Sequence, residues 1–486
     1  MSPTERLRRH FLWGALIAIT VLAVVLQRIR PDDGGALQAA RGADEAESVV
    51  EGVDGGVEGG DSDEDADAAL APVSREAALA GKVVVALHTL LPDTPPDQLL
   101  TQAEPLRQGV FAERVGYAIV VGKISGWSNG LAELEEIPLP EEAIDEARAL
   151  RERVHEAMQA LADADGGEVA SEELDALDPT LGYFSGVLGP DAEQGALSTV
   201  AALMFAIGWY LTVFLAGLVS IAVLGVMLIV GRLRPRYQPA GTAPASLVLG
   251  ETFLVWMLLF LVLQVVAGFI GEPFAERFGG DAALLLSVAA MFGSLGALAY
   301  PALRGISWRE LRGSIGLHAG RGIAREAAAG LLCYVTAVPM LAVGLVVYAI
   351  LTWIARSFDG AAEPPSHPVV DLLSEPTAFR ILMLFMLASV AAPLVEEIAF
   401  RGLLYGHLRG TVAPRLRLLS VLIAAVVSSV VFAIIHPQGV LFVPALGGLA
   451  VGFCIFRELR GSLVAPMVAH GINNAVTLTI GLTLMS

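Results

Sequence analysis

Residues Val395 to Gly402 read VEEIAFRG and follow directly on the apolar run ILMLFMLASVAAPL, residues 381–394. That run asks for lipid, and a charge at mid-bilayer costs at least about 2.5 to 3.5 kcal/mol. Two carboxylates and a guanidinium placed there need a compensating structure or a chemistry. On a helix Glu397 and Arg401 are four residues apart, so they can pair and offset part of the cost of burying either one. Glu396 points about 100° away from Glu397 on the same helix and is left to act.

The whole chain agrees with a membrane setting. Of its 486 residues 55% are hydrophobic and only 17% charged, too apolar a balance for an ordinary soluble domain. The net charge of -19 seems to contradict this until the acids are located: thirteen of the 50 Asp and Glu lie after residue 196. The acidity therefore belongs to an N-terminal region. No basic footprint of the kind nucleic acid requires exists in either part, which excludes nucleic acid as a partner. The two cysteines, Cys333 and Cys454, each sit in an apolar run far from the other and read as small packing residues.

Working outward, the N-terminus reads TERLRRH followed by FLWGALIAITVLAVVLQ, a basic flank and then an apolar helix of roughly 25 Å. Residues 1–30 are expected to form a transmembrane signal anchor; the weak cleavage-like LQA at Leu37 to Ala39 lies some distance beyond. Residues 31–74 are rich in Gly, Ala, Asp and Glu and read as a disordered acidic linker. Within it DSDEDAD, Asp61 to Asp67, is no calcium loop, since Ala66 replaces the turn glycine and Pro72 stands where the bidentate glutamate belongs. Residues 75–196 read as an extracytoplasmic helical domain. Its clearest helix starts near Pro140 and repeats Ala147, Leu150, Val154, Ala157 and Leu161 at helical spacing.

After residue 196 long apolar runs predict spans near 205–230, 246–270, 282–303, 327–353, 379–400, 418–436, 440–456 and 463–484. Residues 197–244 form a linking helix and loop, and 245–486 the membrane core. The expected fold is an all-α polytopic bundle with a core of about eight helices. The Arg-rich loops GRLRPR, RGISWRELRGSIGLHAGRGIAR, HLRGTVAPRLR and RELRG alternate with Arg-poor ones, so the positive-inside rule puts them and the N-terminus in the cytoplasm. Residues 31–196 are then extracytoplasmic, at a bacterial inner membrane. Glu251, near the cytoplasmic start of its span, reads as an interfacial group.

Two further spans carry costly polar residues. One ends FAIIH, with Phe432 four residues before His436; another holds HGINN, with His470 four residues before Asn474. A Glu and a His around a water in a low-dielectric cavity make a general-base assembly, and an imidazole with an amide can stabilise an oxyanion. The same Glu396, His436 and His470 can instead hold zinc with one open position. Singly, each motif has a bland reading as interhelical hydrogen bonding; three motifs on three spans with one shared chemistry weigh against it. One difficulty is depth: His470 lies about 10 Å from the cytoplasmic end of its helix, whereas His436 lies nearer the opposite end of its own. Pro393, Pro437 and Pro466 beside the motifs offer breaks that level them.

The set EExxxR, FxxxH, HxxxN, present as EEIAFR, FAIIH and HGINN, resembles the CAAX prenyl protease and bacteriocin-processing (Abi) family of intramembrane endopeptidases over about residues 245–486. The resemblance implies that Glu396 activates water with His436, that His470 and Asn474 stabilise the oxyanion, and that Glu397, Arg401 and Phe432 support them. It implies a metal-independent enzyme in preference to a zinc one, with membrane lipid and a protein or peptide substrate as partners. The absence of HExxH and of GxGD separates the chain from zincin-type and aspartyl intramembrane proteases. Two other classes stay open: a proton-coupled carrier, which intramembrane Glu, His and Arg also suit, and a binding or immunity protein that keeps the fold without using the site. The helical domain is expected to recruit a substrate or partner. Arg greatly outnumbers Lys, which suggests a high-GC bacterial source where prenylated proteins are not expected, so the family does not name the substrate.

Overall fold

The computed structural model describes residues 3–28, 71–140, 143–163, 171–189, 192–239, 243–278, 282–359, 377–413 and 415–485. The DSDEDAD cluster and the acidic linker, apart from residues 71–74, lie outside them. The chain divides into two compact units, one made mainly of residues 45–208, the other of the N-terminal helix with residues 209–479.

The N-terminal helix is α1 (Pro3–Arg28), apolar from Phe11 to Ala23. The helical unit contains α2 (Arg75–Leu90), α3 (Phe111–Ser125), α4 (Trp127–Glu136), α5 (Ile144–Asp163), α6 (Ser171–Leu181) and α7 (Tyr183–Leu188). Ser74 starts α2 by accepting the Ala77 N–H on its hydroxyl, the usual remedy for an orphan helix donor. In α5 the face read from spacing is the buried one, with Ala147, Leu150, Val154 and Ala157 in the core and Leu161 at its edge. Phe184 is wedged between α2 and α3 where Gly81 and Gly116 make room: a Cβ on either would lie 2.3 or 2.6 Å from its ring.

The second unit continues with α8 (Ala192–Ile229), which the two units share, α9 (Ala243–Phe278), α10 (Ala282–Gly293) followed by a 3-10 segment to Ala299 and a last α-turn to Leu303, and the short α11 (Trp308–Ile315). Then come α12 (Ile323–Asp359), α13 (Ala378–Thr411), α14 (Arg417–Ile434), α15 (Val443–Arg460) and α16 (Val464–Met485). Among the described residues there is no strand, and seven helical segments are long and apolar enough to cross a membrane. An eighth long helix, α16, is unbroken, but His470, Asn473 and Asn474 interrupt its apolar run. The chain is an all-α polytopic membrane protein. Phe205, Leu211 and Val219 on α8 and Val343 and Val346 on α12 are exposed, as bilayer-facing residues must be.

The span expected over 379–400 is longer in the structure: α13 runs on to Thr411 and carries VEEIAFRG in its interior. The motif charges do not end the helix because their partners lie inside the bundle. Further charges, unanticipated from sequence, close one end of it. Glu458 accepts two hydrogen bonds from Arg409, at 3.2 and 3.0 Å, and one from the Tyr405 hydroxyl at 3.0 Å. Glu326 accepts two from Arg460, at 2.8 and 2.7 Å.

Lipid tails are as apolar as leucine, so membrane helices associate through close backbone approach more than through hydrophobic exclusion. The pair α12 and α15 shows this. Gly344 of α12 meets the Pro444 carbonyl, and Gly448 of α15 meets that of Met340; a Cβ would lie 2.1 and 2.4 Å from those oxygens respectively. Gly447, beside Gly448, has nothing within 4 Å. Gly448→Ala is therefore expected to lower the detergent-solubilised melting temperature by several degrees and Gly447→Ala to leave it nearly unchanged; thermal denaturation of the pair checks this.

Candidate active site

The site begins with a proline. Pro393 has no N–H, so in α13 it leaves a carbonyl one turn earlier without a donor. Residues Met386–Ala391 are wound as π-helix, and the Ala392 N–H bonds five residues back to Leu387. In that register the carbonyl awaiting Pro393 is that of Ala388. The Asn474 side-chain N–H₂ from α16 donates to it at 2.8 Å, and the Asn474 oxygen accepts from Asn473 at 3.2 Å. The neighbouring Ser389 carbonyl faces Gly471, where a Cβ would come within 2.6 Å.

A second π-segment, Glu397–Leu404, contains the motif. Its carbonyls are again tied from neighbouring helices. The Ser428 hydroxyl of α14 donates to Phe400 at 3.1 Å, and Arg457 Nε of α15 donates to Arg401 at 3.3 Å. Single π-turns inside α-helices concentrate at functional sites because each inserted residue re-aims the side chains that follow.

The side chains so aimed form one polar cluster. Arg401 and Glu397 are both fully buried and meet at 2.8 Å. The guanidinium lies between two aromatic faces, Phe432 at 4.5 Å and Phe453 at 5.2 Å, which supply cation–π attraction where water is excluded. The Glu397 oxygen that accepts from Arg401 also accepts from His470 Nδ1 at 3.0 Å. His436 follows the end of α14 in a turn, and its Nδ1 lies 2.6 Å from the Phe432 carbonyl. A carbonyl can only accept, so His436 Nδ1 carries the proton, and in the neutral ring Nε2 is the acceptor. That Nε2 is 3.9 Å from Glu396 Oε2, and His470 Nε2 is 3.8 Å from the same oxygen. Phe432 packs against both imidazoles, with ring centroids 4.3 and 5.8 Å away, and Phe453 stacks on His470 at 5.4 Å.

The structure thus brings together Glu396, Glu397, Arg401, Phe432, His436 and His470. The expected depth mismatch does not keep the two histidines apart, since both Nε2 atoms lie within 3.9 Å of the same Glu396 oxygen. One Asn474 amide hydrogen serves the Ala388 carbonyl, which leaves the other for an oxyanion. Phe453 and Ser428 were not singled out in the sequence, since nothing marks an apolar or a small hydroxyl residue inside an apolar run. Buried polar atoms without a protein partner include Glu396 Oε2, Glu397 Oε2 and Arg401 Nε in the cluster, Ser389 Oγ on α13 and Gln438 Oε1 two residues past His436. Such atoms call for water or a polar ligand.

Zinc fits this arrangement poorly. With bonds of about 2.1 Å, tetrahedral ligand atoms lie roughly 3.4 Å apart, closer than the 3.8 and 3.9 Å from Glu396 to the two imidazoles. Among the described residues no three His, Cys, Asp or Glu side chains are grouped to hold a metal ion.

Comparison with known proteins agrees with the motifs. Residues 378–476, which contain all three, match the family model described as type II CAAX prenyl endopeptidase Rce1-like. The membrane-embedded CAAX protease MroQ of Staphylococcus aureus (strain USA300) is 30% identical over 97 residues, 20% of this chain and 38% of that protein. The chain thus spans 38% of the length of this curated relative. No solved structure matches the chain. Through residues 378–476 the chain is thus similar to CAAX proteases.

If Asn474 replaces the donor that Pro393 lacks, the two positions are energetically coupled. Asn474→Ala is expected to destabilise the protein by roughly 1–3 kcal/mol, the cost of a buried unsatisfied carbonyl. The same change should cost less in a Pro393→Ala background, which restores a backbone N–H. A double-mutant cycle on unfolding in detergent measures the difference.

Proposed function

We propose that the chain is an intramembrane endopeptidase in which Glu396 and His436 activate a water for attack on a peptide carbonyl. The observation that carries this reading is the placement of one Glu396 oxygen 3.8 and 3.9 Å from two imidazole Nε2 atoms inside an apolar bundle. Those separations are too long for direct hydrogen bonds, yet a water at about 2.8 Å from each partner fits across either gap. With His436 Nδ1 held by the Phe432 carbonyl, its Nε2 accepts the water's hydrogen bond while Glu396 takes the proton. The oxygen attacks the carbonyl carbon, and Glu396 returns the proton to the leaving amine.

His470 has its Nδ1 proton directed at Glu397, so it donates from Nε2 to the developing oxyanion when both nitrogens are protonated. The shared Glu397 carboxylate fixes the ring plane. Arg401 neutralises Glu397 and keeps it an acceptor. The remaining Asn474 hydrogen is a second donor for the oxyanion. No step is routed through a metal. The printed name of the Staphylococcus relative supports proteolysis as the class of reaction; the substrate, a protein or peptide reached from the membrane, is not specified by the family.

We further infer from the Arg-rich loops that the N-terminus is cytoplasmic and the helical unit extracytoplasmic in a bacterial inner membrane. Among the described residues that unit holds no group of three His, Cys, Asp or Glu able to take a metal ion, and it serves as a module that recruits substrate or partner. Its deletion should reduce cleavage of the native substrate and spare a short peptide; equal loss of both would count against recruitment.

Comparing protein termini in cells carrying the native chain or Glu396→Gln tests the catalytic reading without assuming a substrate. New termini present with the native protein and absent with an equally expressed variant are the expected result. Identical termini would return the chain to the carrier or binding classes.

A further inference from the structure

A cavity of the membrane unit lies away from the Glu396 cluster. It has a volume of about 710 Å³ and is lined by Phe11 and Leu12 of α1, Leu254 and Val255 of α9, and the polar trio Arg8, Glu251 and Tyr300. Such a volume falls in the range of small-molecule sites, roughly 300–1,000 Å³. Its walls are apolar, and its charges are unequal. Glu251 is the acid read from sequence as interfacial; one of its oxygens accepts from Arg8, and the other accepts from the Tyr300 hydroxyl at 3.1 Å. Arg304 approaches that second oxygen at 3.5 Å.

Two guanidinium groups thus share one carboxylate among the described residues, leaving one positive charge. Glu251 is 16% exposed, while Arg8 and Arg304 are 35% and 39% exposed, so the excess charge faces outward. The surrounding sequence adds to it. TERLRRH carries three Arg against one Glu, and the loop from Arg304 to Arg325 carries five Arg against one Glu. Phe11 and Leu303 beside the cluster are exposed at 73% and 84%. The result is a cationic mouth at a membrane interface above an apolar slot between two helices. Guanidinium groups favour phosphate, and a phosphodiester brings one negative charge to meet the one in excess.

We propose that this cavity binds a single anionic phospholipid, its phosphate held by Arg8 and Arg304 and an acyl chain lying along Phe11, Leu12, Leu254 and Val255. The lipid joins α1 to α9 at the turns whose other face, Phe253 and Trp256, packs edge-on against Phe400 of α13. An unoccupied slot would leave α1 held to α9 chiefly by the Glu251 ion pair and the apolar contacts around it.

Native mass spectrometry of the full chain, released from detergent micelles containing phosphatidylglycerol or phosphatidylcholine, tests this. The expected result is one retained phosphatidylglycerol, at least tenfold over phosphatidylcholine, lost in the Arg8→Gln, Arg304→Gln double variant and kept in Arg309→Gln, Arg312→Gln. Leu254→Trp fills the slot without changing charge and should also abolish retention, while Glu251→Gln should increase it severalfold. Excess glycerol phosphate should not displace the lipid, which separates a lipid site from a site for free phosphate. Equal retention of the two lipids, preference surviving in the double variant, or retention unaffected by Leu254→Trp would each overturn the proposal.

Discussion

One oxygen of Glu397 accepts from a guanidinium on its own helix and from an imidazole on another, with no exposure to solvent. A carboxylate at that depth is tolerable only if its charge is met and its lone pairs are used. Both requirements fix geometry. Arg401 must lie one turn away on α13, which sets the winding of that helix, and His470 must present Nδ1, which sets the rotation of α16. The Phe432 and Phe453 rings that enclose the guanidinium then fix α14 and α15 around the same point. Four helices are thus located by one buried ion pair, and Glu396, adjacent in sequence, is carried to the two imidazoles.

Burying that pair inside a helix interrupted by proline raises a second demand, the satisfaction of backbone carbonyls away from water. The π-segments answer it in company with the neighbouring helices. Ala388 takes an amide from α16, Phe400 a hydroxyl from α14 and Arg401 a guanidinium nitrogen from α15. Each opened carbonyl is therefore also a fastener between helices. Arg457 extends the pattern: it is fully buried, stacks on Tyr237 at 4.5 Å, and donates to Ser314 and Gly461 as well as to Arg401. In a membrane, where helix association lacks a hydrophobic drive, such bonds and the glycine contacts of α12 with α15 supply the specificity of packing.

Much of this was legible in the sequence. The i, i+4 spacing of Glu397 and Arg401 announces their pairing, and apolar run lengths locate the spans to within a few residues at most ends. Residues rare in lipid, such as Glu396, His436 and His470, declare a shared site because their cost has to be returned somewhere. What could not be read follows from the period assumed. A 3.6-residue reading of α13 places side chains on faces that two π-segments then rotate, and it ends the span at the first charges, eleven residues before Thr411. The bond from Asn474 to the Ala388 carbonyl was likewise hidden, because a missing N–H at Pro393 matters only once the register of its partner carbonyl is known. Phe453 and Ser428 act through an aromatic face and one hydroxyl, contributions that apolar runs conceal.

The two histidines show how the fold turns residue identity into a defined protonation pattern. Imidazole can carry its proton on either nitrogen, and in an unstructured pocket both tautomers would be populated. Here each Nδ1 is set against a group that accepts: a backbone carbonyl for His436, a carboxylate for His470. Each Nε2 is thereby reserved for the space around Glu396. Both rings are thus aimed at one carboxylate, on helices that the Glu397 pair has already fixed.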